Sequence, residues 1–339
     1  MWELDFNKDL VDIFAVKKYL STRCLNASDS LQNAVPLQPN VSNVSEKGKG
    51  VEQFLSKIGN DQRAIDPTEM NTLLHNDLPI LLDNENIVMA FKAGRDATFF
   101  TNLRVLIMDV QGMSGKRVKY KSLPYKSILS FSAASAGSWD RDSEVKLYTR
   151  NDWSMKEISM DFRKGKADIV MIQKFFSSVL MGSKEDMESY FQSVGGSFKK
   201  SLEMDVPGVD SFLSWVTSNS VEIDAASVTE KLHNDPPVLL DAERCEKAYQ
   251  AGRDMYVYTT HRFLMVNVQG LTGKKIEYLS IPCKNIEFFS VETAGHLDRD
   301  SEVYLNTRVL GKKKVQQDIL AKHGDVMDMN VYLTEKLIC

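Results

Sequence analysis

Residues 93–116 read AGRDATFFTNLRVLIMDVQGMSGK, and residues 251–274 read AGRDMYVYTTHRFLMVNVQGLTGK. The two stretches keep one spacing, 158 residues from Arg95 to Arg253. The same spacing pairs His75-Asn76-Asp77 with His233-Asn234-Asp235, Pro124 with Pro282, and Asp140-Arg141-Asp142 with Asp298-Arg299-Asp300. Further on, a slip of one residue sets Asp168-Ile169 against Asp325-Val326. A long internal match fixes the number of units before any local reading begins. This period is too long for a solenoid repeat, so each copy is a domain. A chain of 339 residues accommodates two such domains and connecting segments. The expected boundaries are an N-terminal extension over 1–50, a first domain over 51–180, a linker over 181–208 and a second domain over 209–339.

Within the first copy, short runs rich in β-branched and aromatic residues follow one another: 87–93, 97–101, 104–110, 117–123, 128–133, 144–149 and 157–162. Gly, Asn, Asp and Pro separate them, as turns require. Upstream, DPTEMNTLLHND reads as a helix, with Asp66 as cap, Pro67 at the first position and Glu69 reaching back. Downstream, Ile169, Ile172, Phe175, Phe176 and Val179 form a helical apolar stripe. The second copy repeats this plan. The fold expected is mainly β: two tandem seven-stranded antiparallel barrels, each closed by a C-terminal helix, with short N-terminal helices.

In the extension, Leu10, Ile13, Phe14 and Lys17 fall at helical spacing, which predicts a helix docked on a neighbouring domain. Residues 25–50 are polar and are expected to be disordered. In the linker, SKEDMESYFQSV predicts a short helix, and Gly195-Gly196 and Pro207-Gly208 mark turns.

The formal net charge is -4. That excludes nucleic-acid binding through a broad basic surface, which needs clustered Lys and Arg. Cys24, Cys245, Cys283 and Cys339 form no CxxC pair and have no His cluster beside them, so neither a disulfide framework nor a zinc site is expected. The N-terminal stretch carries acids from its third residue, which does not fit a secretory signal. No stretch approaches the roughly 20 apolar residues of a membrane span. A soluble, cytoplasmic protein is expected.

The runs AFKAGRD, FTNLRVLIMDVQGMSGKRVKYKSLPYKSI and RFLMVNVQGLTGKKIEYLSIPCKNIEFFSVETAGHLDRDSEV resemble the bacterial pleckstrin-homology (PH) family. The resemblance spans both copies. It implies a partly open barrel with a capping C-terminal helix, and a tendency to assemble into rings. There are departures. Ala134 stands where the second copy has Glu292, Cys283 where the first has Tyr125, and Asn267 where the first has Asp109. A reaction shared by both copies would not survive such changes, whereas packing or pairing would.

Candidate interaction residues lie at the hairpin tips: Arg95, Asp96, Lys116 and Arg117, with their counterparts Arg253, Asp254, Lys274 and Lys275. The Arg-Asp pairs are read as ties between strands or neighbouring domains. The Gly112 to Lys116 stretch lacks phosphate-loop spacing and sits between strands. The D-x-D-x-E runs beginning at Asp140 and Asp298 lack the rest of an EF-hand. No catalytic, metal or cofactor site is expected. The function expected is a non-enzymatic scaffold or interaction protein with protein partners, itself among them. The alternative is a peripheral module in which Lys116, Arg117, Lys119 and Lys121, or Lys274 and Lys275, meet anionic lipid headgroups.

Overall fold

A computed structural model of the chain describes residues 16–17, 20–21, 63–93, 96–111, 117–137, 142–149, 157–163, 167–183, 185–191, 193, 221–269, 275–293, 300–308, 314–320 and 326–338. The chain divides into two compact units. One comprises 1–125 and 191–200; the other comprises 126–190 and 201–339. The division falls inside the first repeat.

The first unit contains β1 (Arg63–Ile65), α1 (Pro67–Asn76), β2 (Ile87–Ala93), β3 (Asp96–Thr101), β4 (Arg104–Gln111) and β5 (Arg117–Pro124). The strands form one antiparallel sheet in sequence order. Asp66 caps α1 by accepting from the Thr68 N–H at 2.9 Å, and Pro67 occupies the first turn. The helix buries Met70, Leu73 and Leu74 against Phe99, Leu106 and Met108 of the sheet. Each such side chain contributes about 1.5–3 kcal/mol of burial.

The second unit opens with β6 (Ile128–Ala134), β7 (Asp142–Thr149), β8 (Glu157–Arg163) and α2 (Ile169–Met181). Then come β9 (Val221–Ile223), α3 (Ala225–Asn234), β10 (Cys245–Ala251), β11 (Asp254–Thr259), β12 (Arg262–Gln269) and β13 (Lys275–Pro282). It ends with β14 (Ile286–Glu292), β15 (Asp300–Thr307), β16 (Lys314–Leu320) and α4 (Val326–Leu337). Eight strands form one sheet in the order β8-β7-β6-β13-β12-β11-β10-β9, and β14-β15-β16 form another. The hairpin from β10 to β11 turns at Gly252, whose φ of 62° is one that side-chain-bearing residues avoid.

The chain is mainly β and repeats one plan twice, but two separate closed barrels are not what the described residues form. Among the described residues the sheets are open, with five, eight and three strands. The last three strands of the first repeat continue the sheet of the second, because β6 pairs with β13. Backbone groups at those two edges are satisfied by joining the repeats rather than by closing each on itself. Of the two helices that follow a repeat's last strand, α2 lies over β6 and β13, whereas α4 lies over β14 and β15 of its own repeat. It packs Val326, Met329 and Leu333 into a core with Tyr249, Tyr258, Phe263, Val303 and Leu305.

The stretch 25–50 and the turn at 112–116 lie outside the described residues. Residues 185–191, in the segment where a short linker helix is expected, are helical.

Candidate functional site

The joint between the repeats is built around a buried arginine. Arg262 begins β12 and is fully buried. A guanidinium carries five N–H donors, and here each has an acceptor. Nε and Nη2 form a fork on Glu243 at 2.8 and 3.0 Å. Nη2 also donates to the Val238 carbonyl at 2.7 Å. Nη1 donates to Ser280 Oγ of β13 at 2.9 Å and to Ser177 Oγ of α2 at 2.6 Å. The last acceptor therefore comes from the first repeat's helix.

Glu243 is also fully buried, and it accepts from Thr259 Oγ1 at 2.7 Å and from the Leu240 N–H at 3.0 Å. Burial pushes its carboxyl up. Arg262 and these hydrogen bonds outweigh that and hold it below the usual carboxylate range. Such a pair holds only while every partner is present.

Around this centre the junction is continuous. β6 pairs with β13 in the register Phe131–Ser280, Ser132–Leu279, Ala133–Tyr278 and Ala134–Glu277. Ser135 extends the pairing: its N–H donates to the Ile276 carbonyl and its Oγ accepts from the Ile276 N–H. Gly137 follows where an added Cβ would come within 3.3 Å of Lys275 Cβ, so the close approach favours glycine. Above the strands, Gln173 of α2 donates to Ser280 Oγ at 2.9 Å, Lys174 pairs with Asp241, and Lys284 donates to the Leu180 carbonyl at the helix end. Val170 packs among Val228, Leu232, Val238 and Leu239. Thus α2 uses two faces. Ile169, Ile172 and Phe176 belong to one; Val170, Gln173 and Ser177, at helical spacing, form the one turned to the second repeat.

The first unit contains a second copy of the centre. Arg104 is fully buried and forks onto Glu85 at 2.7 and 2.8 Å. It donates to the Ile80 carbonyl at 2.9 Å, to Ser122 Oγ at 2.8 Å and to Ser21 Oγ at 2.5 Å. Val16, Lys17, Leu20 and Ser21 are helical. Lys17 Nζ donates to Ser122 Oγ at 2.9 Å, the bond that Gln173 makes to Ser280. Its ammonium also lies 5.4 Å from the centre of the Tyr120 ring. Burial, then the neighbouring Arg104, push the Lys17 amine down to about 7 against the pull of Glu85.

The chain also holds counterparts of the joined edges. Among the described strands, β5 pairs only with β4, and β14 pairs only with β15. By repeat position β5 corresponds to β13, and β14 to β6. Every residue of β6 is buried, whereas no residue of β14 is. Phe288 of β14 is 60% exposed; its counterpart Ser130 is fully buried. α2 buries nine side chains and α4 three. On α4, Asn330 and Thr334 stand at the positions of Gln173 and Ser177, one slip along, and neither is buried. The Thr334 hydroxyl donates to the Asn330 carbonyl as the Ser177 hydroxyl donates to that of Gln173.

Of the hairpin residues singled out in the sequence, Arg95, Lys116 and Lys274 and the Arg117 side chain lie outside the described residues. Asp96 accepts from the Val110 N–H at 2.8 Å, and Asp254 from the Val268 N–H at 2.9 Å, so both pin the next strand. Arg253 is exposed at the hairpin tip, and half-buried Lys275 starts β13 opposite Gln269. Among the described residues no group of His, Cys, Asp and Glu could hold a metal ion. No described helix is long and apolar enough to cross a membrane.

The bacterial PH domain model matches residues 55–180 and again residues 212–337. The chain belongs to that family. Bacterial PH relatives include the uncharacterized protein YjqA of Bacillus subtilis strain 168, 44% identical over 92 residues, which are 27% of this chain and 71% of that protein. The uncharacterized YozO of the same organism is 35% identical over 85 residues, 25% of this chain and 70% of its own. A DUF1696 family protein with a pleckstrin-homology domain from Shewanella loihica PV-4 is similar in structure, with 31% identity, a TM-score of 0.32 and coverage of 36% of this chain and 100% of its own. A pleckstrin homology domain from Shewanella amazonensis SB2B gives 33% identity, a TM-score of 0.30 and coverage of 38% and 99%.

Sequence reasoning missed the buried arginines and the two serines, Ser21 and Ser177, by which the expected helices reach them. The signal was present. Glu85, Thr101, Arg104 and Ser122 recur unchanged at Glu243, Thr259, Arg262 and Ser280. DIFAVKKYLST (12–22) also aligns with DIVMIQKFFSS (168–178), so the N-terminal helix is a further copy of the capping helix.

Proposed function

We propose that this bacterial PH protein is a non-enzymatic scaffold that associates through its strand edges, with a second copy of itself as partner. The observation that carries this reading is the β6–β13 junction: the chain already joins one repeat to the next edge to edge. The same two surfaces recur at β14 and β5, with less covering. Exposed strand edges add strands from other chains.

Charge supports pairing between copies. Transferring the β6–β13 register to β14 and β5 sets Phe289 against Ser122, Ser290 against Lys121, Val291 against Tyr120 and Glu292 against Lys119. Opposite charges directly across a sheet contribute about 0.2–1 kcal/mol. Within its own sheet Glu292 lies opposite Glu302, a like charge that Lys119 offsets. On β13, by contrast, Glu292 would meet Glu277.

Sedimentation velocity over a wide concentration range tests the reading. Species at multiples of the chain mass, growing with concentration, are expected. A single-chain mass throughout, in the native protein and in variants that expose β5, overturns it.

A further inference from the structure

We infer that the N-terminal helix is a built-in plug: it holds, in its own chain, the seat that α4 of a second copy must take for β14 to pair with β5. This rests on the edge-to-edge reading above and adds its regulation.

One arginine offers one seat. At the internal junction, Arg262 Nη1 is completed by Ser280 and by Ser177 of the incoming helix. In the first unit, Arg104 Nη1 is completed by Ser122 and by Ser21. Lys17 holds the bond to Ser122 that Gln173 holds to Ser280. A strand arriving on β5 as β6 lies on β13 carries its capping helix with it. α2 lies over β6, and α4 lies in the same way over β14. The arriving Thr334 and Asn330 therefore fall on the places of Ser21 and Lys17. Two helices cannot share them.

The order of displacement follows from burial. α4 is anchored on its own repeat by Val326, Met329 and Leu333, of which Met329 is fully buried. Leu20 of the N-terminal helix stands where α2 has fully buried Phe176 and α4 has Leu333, yet it is 51% exposed. Of the described side chains of this helix, Ser21 is buried and Val16 and Lys17 are half-buried. The helix whose Leu20 position is uncovered gives way, and the helix held by its own core stays. Its polar bonds are nonetheless complete, so the plug leaves no buried guanidinium donor without an acceptor in the unassembled chain.

The test compares the full chain with Ser21→Arg, which sets a second guanidinium against Arg104 and ejects the helix. In sedimentation velocity, Ser21→Arg is expected to associate at a concentration at least tenfold lower than the native chain. Adding Glu292→Lys to it is expected to abolish the gain, since lysine would face Lys119. Native-like circular dichroism checks the fold. A second measurement needs no variant: hydrogen exchange of the native chain at rising concentration. Residues 10–24 are expected to lose protection as β5 gains it. If β5 gains protection while residues 10–24 keep theirs, or if Ser21→Arg associates no better than a native chain that does associate, the plug is overturned and edge pairing stands. If neither chain exceeds a single-chain mass, edge pairing falls and the plug with it.

Discussion

Ser177 Oγ stands 2.6 Å from Nη1 of Arg262, so a helix of the first repeat completes the hydrogen bonding of a buried guanidinium in the second. The two repeats share one polar centre, and its loss weakens the joint rather than either sheet. Ser177→Ala leaves one buried donor without its acceptor and is expected to cost about 1–3 kcal/mol. Glu243→Ala leaves the arginine charge unpaired and is expected to cost about 3–5 kcal/mol. Urea unfolding measures both. In Ser177→Ala, hydrogen exchange should rise first in α2 and β6. A uniform rise across the second unit would speak against a localised joint.

The transferred register makes a charge-exchange experiment decisive. Lys119→Glu and Glu292→Lys each place like charges across the β5–β14 pair and are expected to weaken association at least several-fold. Together they restore an opposite pair and association. Recovery in the double variant, read by analytical ultracentrifugation, separates pairing of these two residues from a general effect of net charge. Two independent losses that add would reject the register.

Much of this was legible in the sequence, but not the joint. The strands appear because alternation and turn residues are local, and the duplication tells the same story twice. Which edge β6 joins has no local trace: ILSFSAA has the same pattern whether its neighbour belongs to its own repeat or the next. Arg104 and Arg262 look like ordinary surface residues, because arginine is almost never fully buried unless paired. Their partner glutamates lie 19 residues upstream, across a loop and two strands. The Arg-Asp motif attracted notice by being adjacent in sequence, yet Asp254 uses its carboxylate on a backbone N–H of the next strand.

The departure at Ala134 has a physical account. Ala134 lies opposite Glu277 across the junction, whereas the second repeat carries Glu292 at that position. An acid in the first repeat would face another acid. Ala134→Glu is therefore expected to destabilise the second unit by roughly 0.2–1 kcal/mol, with the loss reversed by adding Glu277→Lys. Thermal unfolding of the three chains checks this. A stabilised Ala134→Glu chain would refute the assignment of these two positions as neighbours.

Lys17 gives the plug a pH dependence with a definite sign. Its ammonium faces Arg104 from β4, Glu85 from the loop before β2, and the ring of Tyr120 from β5. Docking lowers its pKa from 10.5 to about 7. Below pH 7 the amine is charged in both the docked and released helix, and docking carries the full cost of stripping water from it. Between about 7 and 10.5 the released helix holds a proton that the docked one does not. Docking then releases a proton, and the docked state gains up to about tenfold per pH unit as pH rises. Acidification from pH 9 to pH 6 should thus loosen the helix and promote association. The titration can be followed at the Lys17 ε-carbon by NMR: a midpoint near 7 is expected in the native chain, moving back towards 10.5 in Ser21→Arg. Lys17→Gln, which copies Gln173 of α2, should dock equally well from pH 6 to pH 9. A native midpoint above 10 would show that Lys17 is not held at this site.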